Sequence, residues 1–256
     1  MRIATFNING IGARLPRLLD WLAETQPDVA CLQEIKTQDE SFPVAALNDA
    51  GYHCLIHGQK GFNGVAILSK VPATETGRGL RGDPEDLHAR YIEAEVEGVT
   101  IASIYLPNGN PQPGPKFDYK LRWMARLEEH AAALLASEKP VVLAGDYNVI
   151  PTAEDVFSEP AMGNDALVQP ETRAAFRRLM FQGWTDAIRA VQPSGPAYTF
   201  WDYQAGAWPR DLGLRIDHLL LSPGLADRLI DAGIDRTVRA GERASDHVPV
   251  WIVVRT

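Results

Sequence analysis

The chain has 256 residues, 45% of them hydrophobic and 23% charged, enough for one large core near the size at which single cores stop growing. That balance excludes global disorder, and no apolar run approaches the roughly 18 to 20 residues that a membrane helix needs. With 25 Lys+Arg against 33 Asp+Glu the net charge is −8, which taken alone disfavours nucleic acid as a partner, because phosphate contacts draw on a basic surplus.

The opening MRIATFNING enters an apolar strand, Ile3–Phe6, without the pattern of a secretory leader, and ends at the turn-forming Asn7-Ile8-Asn9-Gly10. Leu15, Leu18, Leu19 and Leu22 recur at helical spacing and predict a helix over 13–25. Pro27-Asp28 turns the chain into a strand at 29–33, and a short helix near 42–50 leads to strands at 52–57 and 64–69. Strands at 90–97 and 99–106 are joined by Glu97-Gly98 as a hairpin. A long helix over 116–137 carries the stripe Leu121, Met124, Leu127, Ala131, Leu134 and Leu135. A buried strand at 141–144, a helix at 171–182 and strands at 215–221, 229–238 and 248–254 complete the chain. Helices alternate with strands, but several links are short enough only for hairpins, so the sheets are expected to be mixed and the domain single, over 1–256. Cys31 and Cys54 are too few for a disulfide framework and are expected as free buried thiols in a reducing cytoplasm.

A site needs only a local field, whatever the net charge. Arg78, Arg81 and Arg90 form one basic group, Lys116, Lys120, Arg122 and Arg126 a second, and Arg173, Arg177 and Arg178 a third. Solvated helix faces and loops would account for most of them.

Polar residues placed just after apolar strands carry the chemical signal. Asn7 and Asn9 follow the first strand and Glu34 the second; Tyr105 and Asn108 end IASIYLPNG; Asp146 and Asn148 end VVLAGDYN. Asp217 lies in LRIDHLL, and Asp246-His247 precede VPVWIVV. Any one Asp or Asn there is more often a turn former, but as a set rich in oxygen ligands they are hard to dismiss. Glu34, Asn9, Asp146 and Asp246 are hard donors suited to Mg²⁺ or Mn²⁺, with no Cys-His pairing for structural zinc. His247 is the titratable partner near neutral pH, and Asp217 is the natural carboxylate to fix its tautomer. An Asp buried in an apolar strand needs such a partner. The class this implies is metal-assisted phosphate-ester hydrolysis.

Other chemistries find less support. GxSxG and GxxxxGK[ST] are absent, and Gly77-Arg78-Gly79 lacks a strand-to-helix setting. Cys31 reads as core. His218 must point to the face opposite Asp217 and reads as structural or surface-lying. His53, His57, His88 and His130 have no evident partner.

At TFNINGI, PDVACLQEIK, YHCLIHGQKGFNGVAILSK, LPNG, GDYN, TFWDY, LGLRIDHLLLS and SDHVPVW, the chain resembles the exonuclease III family of Mg²⁺-dependent abasic-site endonucleases, within the endonuclease/exonuclease/phosphatase superfamily. The resemblance implies a four-layer αββα sandwich: two mixed β-sheets face to face, helices outside, and the site at one edge. It implies that Glu34 holds the metal, with Asn9 and Asp246 nearby and Asp146 and Asn148 completing the set. Asn7 and Asp146 correspond to the pair that orients or deprotonates water, and Asp217 to the partner of His247. Tyr105, Asn148 and His247 correspond to contacts on the scissile phosphate. Phe200, Trp201 and Leu212 are similar to an apolar slot for a base-less sugar, and Asn63, Gly64, Arg90, Asn108 and Lys120 to DNA contacts. Trp208, in the apolar loop AGAWPRDLG, is a candidate extra wedge.

The implied partner is duplex DNA with abasic sites or blocked 3′ ends, acted on by a monomer without membrane or obligate protein partner. The implied reaction is a cut 5′ to the lesion, with 3′→5′ exonuclease and 3′-phosphatase activity. A small-molecule or lipid phosphoesterase on the same fold is the alternative. A non-catalytic DNA binder is disfavoured by the intact catalytic set.

Overall fold

A computed structural model describes residues 1–255. Strand β1 (Arg2–Asn7) leads through helix α1 (Ile11–Thr25) to β2 (Val29–Gln33), and α2 (Val44–Asp49) precedes β3 (His53–His57) and β4 (Val65–Ser69). Then come β5 (Thr74–Arg78), β6 (Tyr91–Val96), β7 (Val99–Tyr105), the long α3 (Pro115–Ala136) and β8 (Val141–Asp146). The short α4 (Glu159–Met162), α5 (Pro170–Phe181), β9 (Thr185–Asp186), α6 (Ala187–Val191), β10 (Asp217–Leu221), α7 (Pro223–Ala226), β11 (Leu229–Ile234) and β12 (Val250–Val254) follow.

Two six-stranded sheets result, in the orders β11-β12-β1-β2-β4-β3 and β5-β6-β7-β8-β10-β9. Each has one parallel pair, β1–β2 and β7–β8, and these are the pairs bridged by α1 and α3. Every other pairing is antiparallel, which the short connections β3–β4 and β6–β7 require. The sheets face each other across a core containing Ile3, Cys31, Ile67, Ile101, Val142 and Leu219. Leu18, Trp21 and Leu22 of α1 cover the outer face of the first sheet, and Trp123, Leu127, Phe176 and Leu179 of α3 and α5 that of the second. The expected αββα sandwich is therefore the observed one.

The short α4, β9, α6 and α7 have no counterpart among the predicted elements, and three strands depart from expectation. β5, TETGR, is mostly exposed and pairs on one side only, so no apolar alternation marks it. Arg215 and Ile216 stand outside β10 because the Arg215 amide turns to Asp155 O (2.8 Å). β11 stops at Ile234, and a 3-10 turn over Arg236–Ala240 replaces its predicted end. Cys31 is a free buried thiol as expected, whereas Cys54 is only half-buried.

Side chains alternate across a strand, so residues two apart share a face. In β8, Val142 and Ala144 face the inter-sheet core, which sends Asp146 the same way. The same parity places Asn7 beyond Ile3, Gln33 beyond Cys31, Tyr105 beyond Ile101, and Asp217 before Leu219. One end of the inter-sheet space is thus polar where the rest is apolar. Thr5 Oγ1 donates to Gln33 Oε1 (3.1 Å), and Gln33 Nε2 donates to Ser103 Oγ (3.0 Å), a hydrogen-bonded layer at the change-over.

Candidate active site

The strand registers bring the polar ends together. Tyr105 and Asp217 both pair with Asp146, and Asn7 pairs with Gln33 one residue before Glu34. Asn7 Nδ2 donates to both Glu34 Oε1 and Asp146 Oδ2, each at 2.9 Å, so a single amide joins the two sheets. The Asn148 amide donates to the other oxygen of Asp146 (2.9 Å). His247 Nε2 stands 3.7 Å from Asp146 Oδ2, and its Nδ1 meets Asp217 Oδ2 at 2.9 Å. Thr199 Oγ1 donates to that same Asp217 oxygen (2.6 Å). The carboxylate–imidazole pairing expected of Asp217 and His247 is present.

Burial governs the electrostatics. It pushes Asp146 up, with Asp217 and Glu34 adding to the rise against the pull of His247, to about 7. Burial alone would push His247 down, but the charges of Asp217 and Asp146 outweigh it and raise the ring to about 10. For Glu34 the opposing burial is overcome by hydrogen bonds from Lys36 and Asn7, which lower it. Burial, with Glu34 and Asp146 alongside, pushes the Tyr105 phenol well above its usual value, which keeps it an O–H donor.

Glu34, Asp146 and His247 each offer a ligand atom within 4.8 Å of one another. A His247 raised in this way is protonated near neutrality and has no lone pair to offer a metal ion, which leaves oxygen ligands suited to a hard divalent cation. Lys36 Nζ lies 2.8 Å from Glu34 Oε2 and 2.5 Å from Asn9 Oδ1, so these two oxygens already converge on a cation. Asn9 Nδ2 donates to Asp246 Oδ1 (3.0 Å), placing Asp246 on the same rim. Glu34, Lys36 and Asn148 adopt left-handed backbone, φ 49°, 54° and 48°, a conformation that costs about 1–3 kcal/mol for residues other than glycine and clusters at functional sites.

Beside this polar floor lies a cavity of about 550 Å³ whose apolar wall includes Phe157, Met162, Leu167, Phe200, Leu212 and Leu214. Asn108 also lines it, its Nδ2 donating to Asn148 Oδ1 (3.1 Å). Asn63 and Gly64 brace the Glu34 loop: the Lys36 amide donates to Asn63 O (3.0 Å) and the Ile35 amide to Gly64 O (3.2 Å). A Cβ on Gly64, at φ +85°, would fall 2.5 Å from Ile35 Cγ1, so the approach requires glycine. Arg90 lies over the Tyr105 ring at 4.7 Å and donates to Tyr105 O (3.2 Å).

Three residues expected to meet the substrate are corrected. Trp201 is fully buried and absent from the cavity wall; its Nε1 donates to Asp211 Oδ1 (2.9 Å), because it points away from neighbouring Phe200. Trp208 packs edge-on against it at 4.9 Å and does not line the cavity either. Lys120 is also fully buried, with Nζ donating to Pro107 O (3.0 Å) and Asn148 O (2.7 Å), so it presents nothing to a ligand.

Half of the clustered arginines have acidic partners: Arg78 with Glu75 and Asp39, Arg126 with Asp83 and Asp86, Arg173 with Glu159, Arg178 with Glu128. His218 is buried against Tyr147 and Phe176, and His130 and His88 do have partners, Glu93 (2.9 Å) and Tyr119 (3.1 Å). Sequence reasoning missed Lys36, two residues past Glu34, and Thr199, next to the apolar Phe200; the charge at a strand end was a signal for the first, and nothing marked the second.

The Endonuclease/Exonuclease/phosphatase family model matches residues 4–247. The chain is 35% identical to exodeoxyribonuclease III of Haemophilus influenzae, with 98% of each chain covered. Among solved structures it superposes on an AP endonuclease from Archaeoglobus fulgidus with TM-score 0.96 at 36% identity, and on a 3′ phosphatase from Neisseria bound to a product DNA hairpin with TM-score 0.97 at 39% identity, each covering 100% of both chains. No helix among the described residues is long and apolar enough to cross a membrane. The two-sheet frame, the site at its polar end and the family match along almost the whole chain converge: this protein belongs to the endonuclease/exonuclease/phosphatase family, as a hydrolytic nuclease.

Proposed function

We propose that the site hydrolyses phosphodiesters of duplex DNA, cutting 5′ to an abasic sugar to leave a 3′-hydroxyl, with 3′→5′ exonuclease and 3′-phosphatase activity at blocked ends. The observation that carries this reading is a buried carboxylate, Asp146, held between Asn7 and His247 on the floor of a cavity whose other wall is apolar.

Asn7 Nδ2 and the Asn148 amide hold Asp146 in one orientation, which aligns a water with the phosphorus and lets Asp146 take its proton. His247, kept charged by Asp217, donates to a phosphate oxygen and stabilises the charge that grows there. Tyr105 donates from the other side, held by Arg90. Glu34 and Asp146, with Asn9, Asp246 and Asn148 around them, would hold Mg²⁺ or Mn²⁺, which when bound neutralises charge on the phosphate and the leaving oxygen. Phe200, Leu212 and Leu214 offer a base-less sugar a dry slot. Two free thiols agree with a cytoplasmic location, and a site whose groups all come from one chain, at one end of both sheets, agrees with a single domain acting as a monomer.

The test is a labelled duplex with one abasic site, run with Mg²⁺ or with EDTA beside undamaged and 3′-phosphate duplexes. One Mg²⁺-dependent cut at the lesion is the expected result. Absence of cleavage on every DNA, with turnover of small phosphoesters, would overturn it.

A further inference from the structure

Lys120 is the only fully buried lysine among the described residues, and its ammonium meets two backbone carbonyls in place of a carboxylate. Those carbonyls occupy equivalent places. Pro107 lies two residues past Tyr105 and Asn148 two past Asp146, and the parallel register pairs Tyr105 with Asp146. One side chain from α3 therefore joins the loops leaving β7 and β8 at matching distances from their strands. Asn148 needs such a hold, since its backbone is left-handed at φ 48°. Its side chain extends the splice: Nδ2 donates to Leu106 O (3.0 Å) and Oδ1 accepts from Asn108 Nδ2 (3.1 Å). The chain also leaves room for the lysine stem, since a Cβ on Gly109, at φ +91°, would fall 2.6 Å from Lys120 Cδ. The lysine, the glycine and both asparagines thus form one connected unit, and only the asparagines reach the cavity.

We infer that Lys120 is a positioning residue for the scissile phosphate, splicing the β7 and β8 loops so that Asn108 and Asn148 face the cavity together. The inference rests on the site reading proposed above. Losing the lysine leaves two buried carbonyls without their donor and frees the Asn148 peptide, on which both the amide to Asp146 and the placing of its side chain at the cavity depend.

The experiment measures kcat, KM and Tm on an abasic duplex for Lys120→Met, Lys120→Arg, Asn148→Ala and the Lys120→Met/Asn148→Ala double variant. Lys120→Met lowers kcat about a hundredfold, the loss expected when reacting groups shift by about 1 Å. Its KM, set by contacts along the whole duplex, changes by less than about threefold. Lys120→Arg, which keeps donors for both carbonyls, recovers most of the rate. The double variant is no slower than the slower single one, because both changes act on the same loop. Wild-type kcat in Lys120→Met, or a double variant slowed by the product of the single losses, overturns the inference. Should Lys120→Met not fold, Lys120→Gln is assayed, since its shorter amide cannot span both carbonyls; an unchanged kcat there overturns the inference equally. Asp146→Asn separates the two readings. Normal turnover in that variant removes the site itself, whereas a dead Asp146→Asn beside an unimpaired Lys120→Met removes only the role of the lysine.

Discussion

Two buried charge clusters meet around residues 215–218 and have opposite characters. On one side Arg215 reaches Asp155 and Asp186, each at 2.7 Å, Arg189 joins Asp155, and Arg215 Nη1 meets His218 Nδ1 at 3.1 Å. On the other side Asp217, Asp146 and Glu34 share His247 and, at the rim, Lys36. The first cluster satisfies itself: burial would raise Asp155 and Asp186, but Arg215 holds both below the usual carboxylate range. The second is short of positive charge: burial, with Asp217 and Glu34 beside it, pushes Asp146 up to about 7 and His247 does not offset it. A buried cluster that is compensated serves the fold, whereas one that is under-compensated has kept room for a ligand's charge. Where the comparison is sound, the two clusters fail differently when altered.

The largest effect is expected at Asp146. Asp146→Asn keeps the shape and removes the base, so turnover falls about a thousandfold or more. Its Tm stays level or rises, because a carboxylate disfavoured by burial is gone, and DNA binding is largely retained. Arg215→Met should do the reverse. It strands Asp155 and Asp186 and costs about 3–5 kcal/mol of stability, read by denaturant unfolding. The activity of each molecule still folded falls far less than in Asp146→Asn.

Acid sharpens the contrast. Asp155 and Asp186 have lowered folded values, so their contribution is present above the ordinary value of 3.8 and is lost as pH falls below it. Glu93, lowered from 4.5 to about 2 against its burial by His130, Tyr91 and Thr76, acts the same way in that window. His218, lowered from 6.5 to about 4 by burial and Arg215, stays neutral while the unfolded chain takes up a proton, so stability already declines between those values. In wild type Asp146, raised from 3.8 to about 7 chiefly by burial, takes up its proton in the folded chain over nearly the same range and offsets that decline, so it is in Asp146→Asn that the unfolding free energy should fall from about pH 6.5 downward. A flat profile between pH 6.5 and 4 in that variant would show that His218 is not held neutral.

The smallest effect separates two neighbours. Trp201→Phe loses the Asp211 hydrogen bond and some packing, about 1–3 kcal/mol, without altering preference for an abasic site. Phe200→Ala opens the cavity wall and lowers that preference with little change in 3′-phosphate removal. Equal loss of preference in both would return Trp201 to the slot.

Much of this was legible in the sequence, because strands that carry chemistry change from apolar to polar at one end, as VVLAGDYN and LRIDHLL do. Asp146, Asn7, Asp217 and His247 were found that way, and the observed contacts bring them together. Side-chain direction was harder to read. Lys120 looks like one of several helix cations, yet its spacing from Phe117, Met124 and Leu127 places it on the buried face of α3. Phe200 and Trp201 read as a pair until alternation sends them to opposite sides. Thr199 acts only through Asp217, 18 residues further on, a relation that folding alone creates.

The most direct measurement is single-turnover cleavage of an abasic duplex by wild type, Asp146→Asn and Arg215→Met, each with its unfolding curve under the same conditions. The two clusters predict a dead but stable Asp146→Asn and an active but unstable Arg215→Met. An Asp146→Asn enzyme that cleaves within about tenfold of wild type, beyond what residual binding and positioning sustain, would contradict the assignment of the under-compensated cluster as the active site.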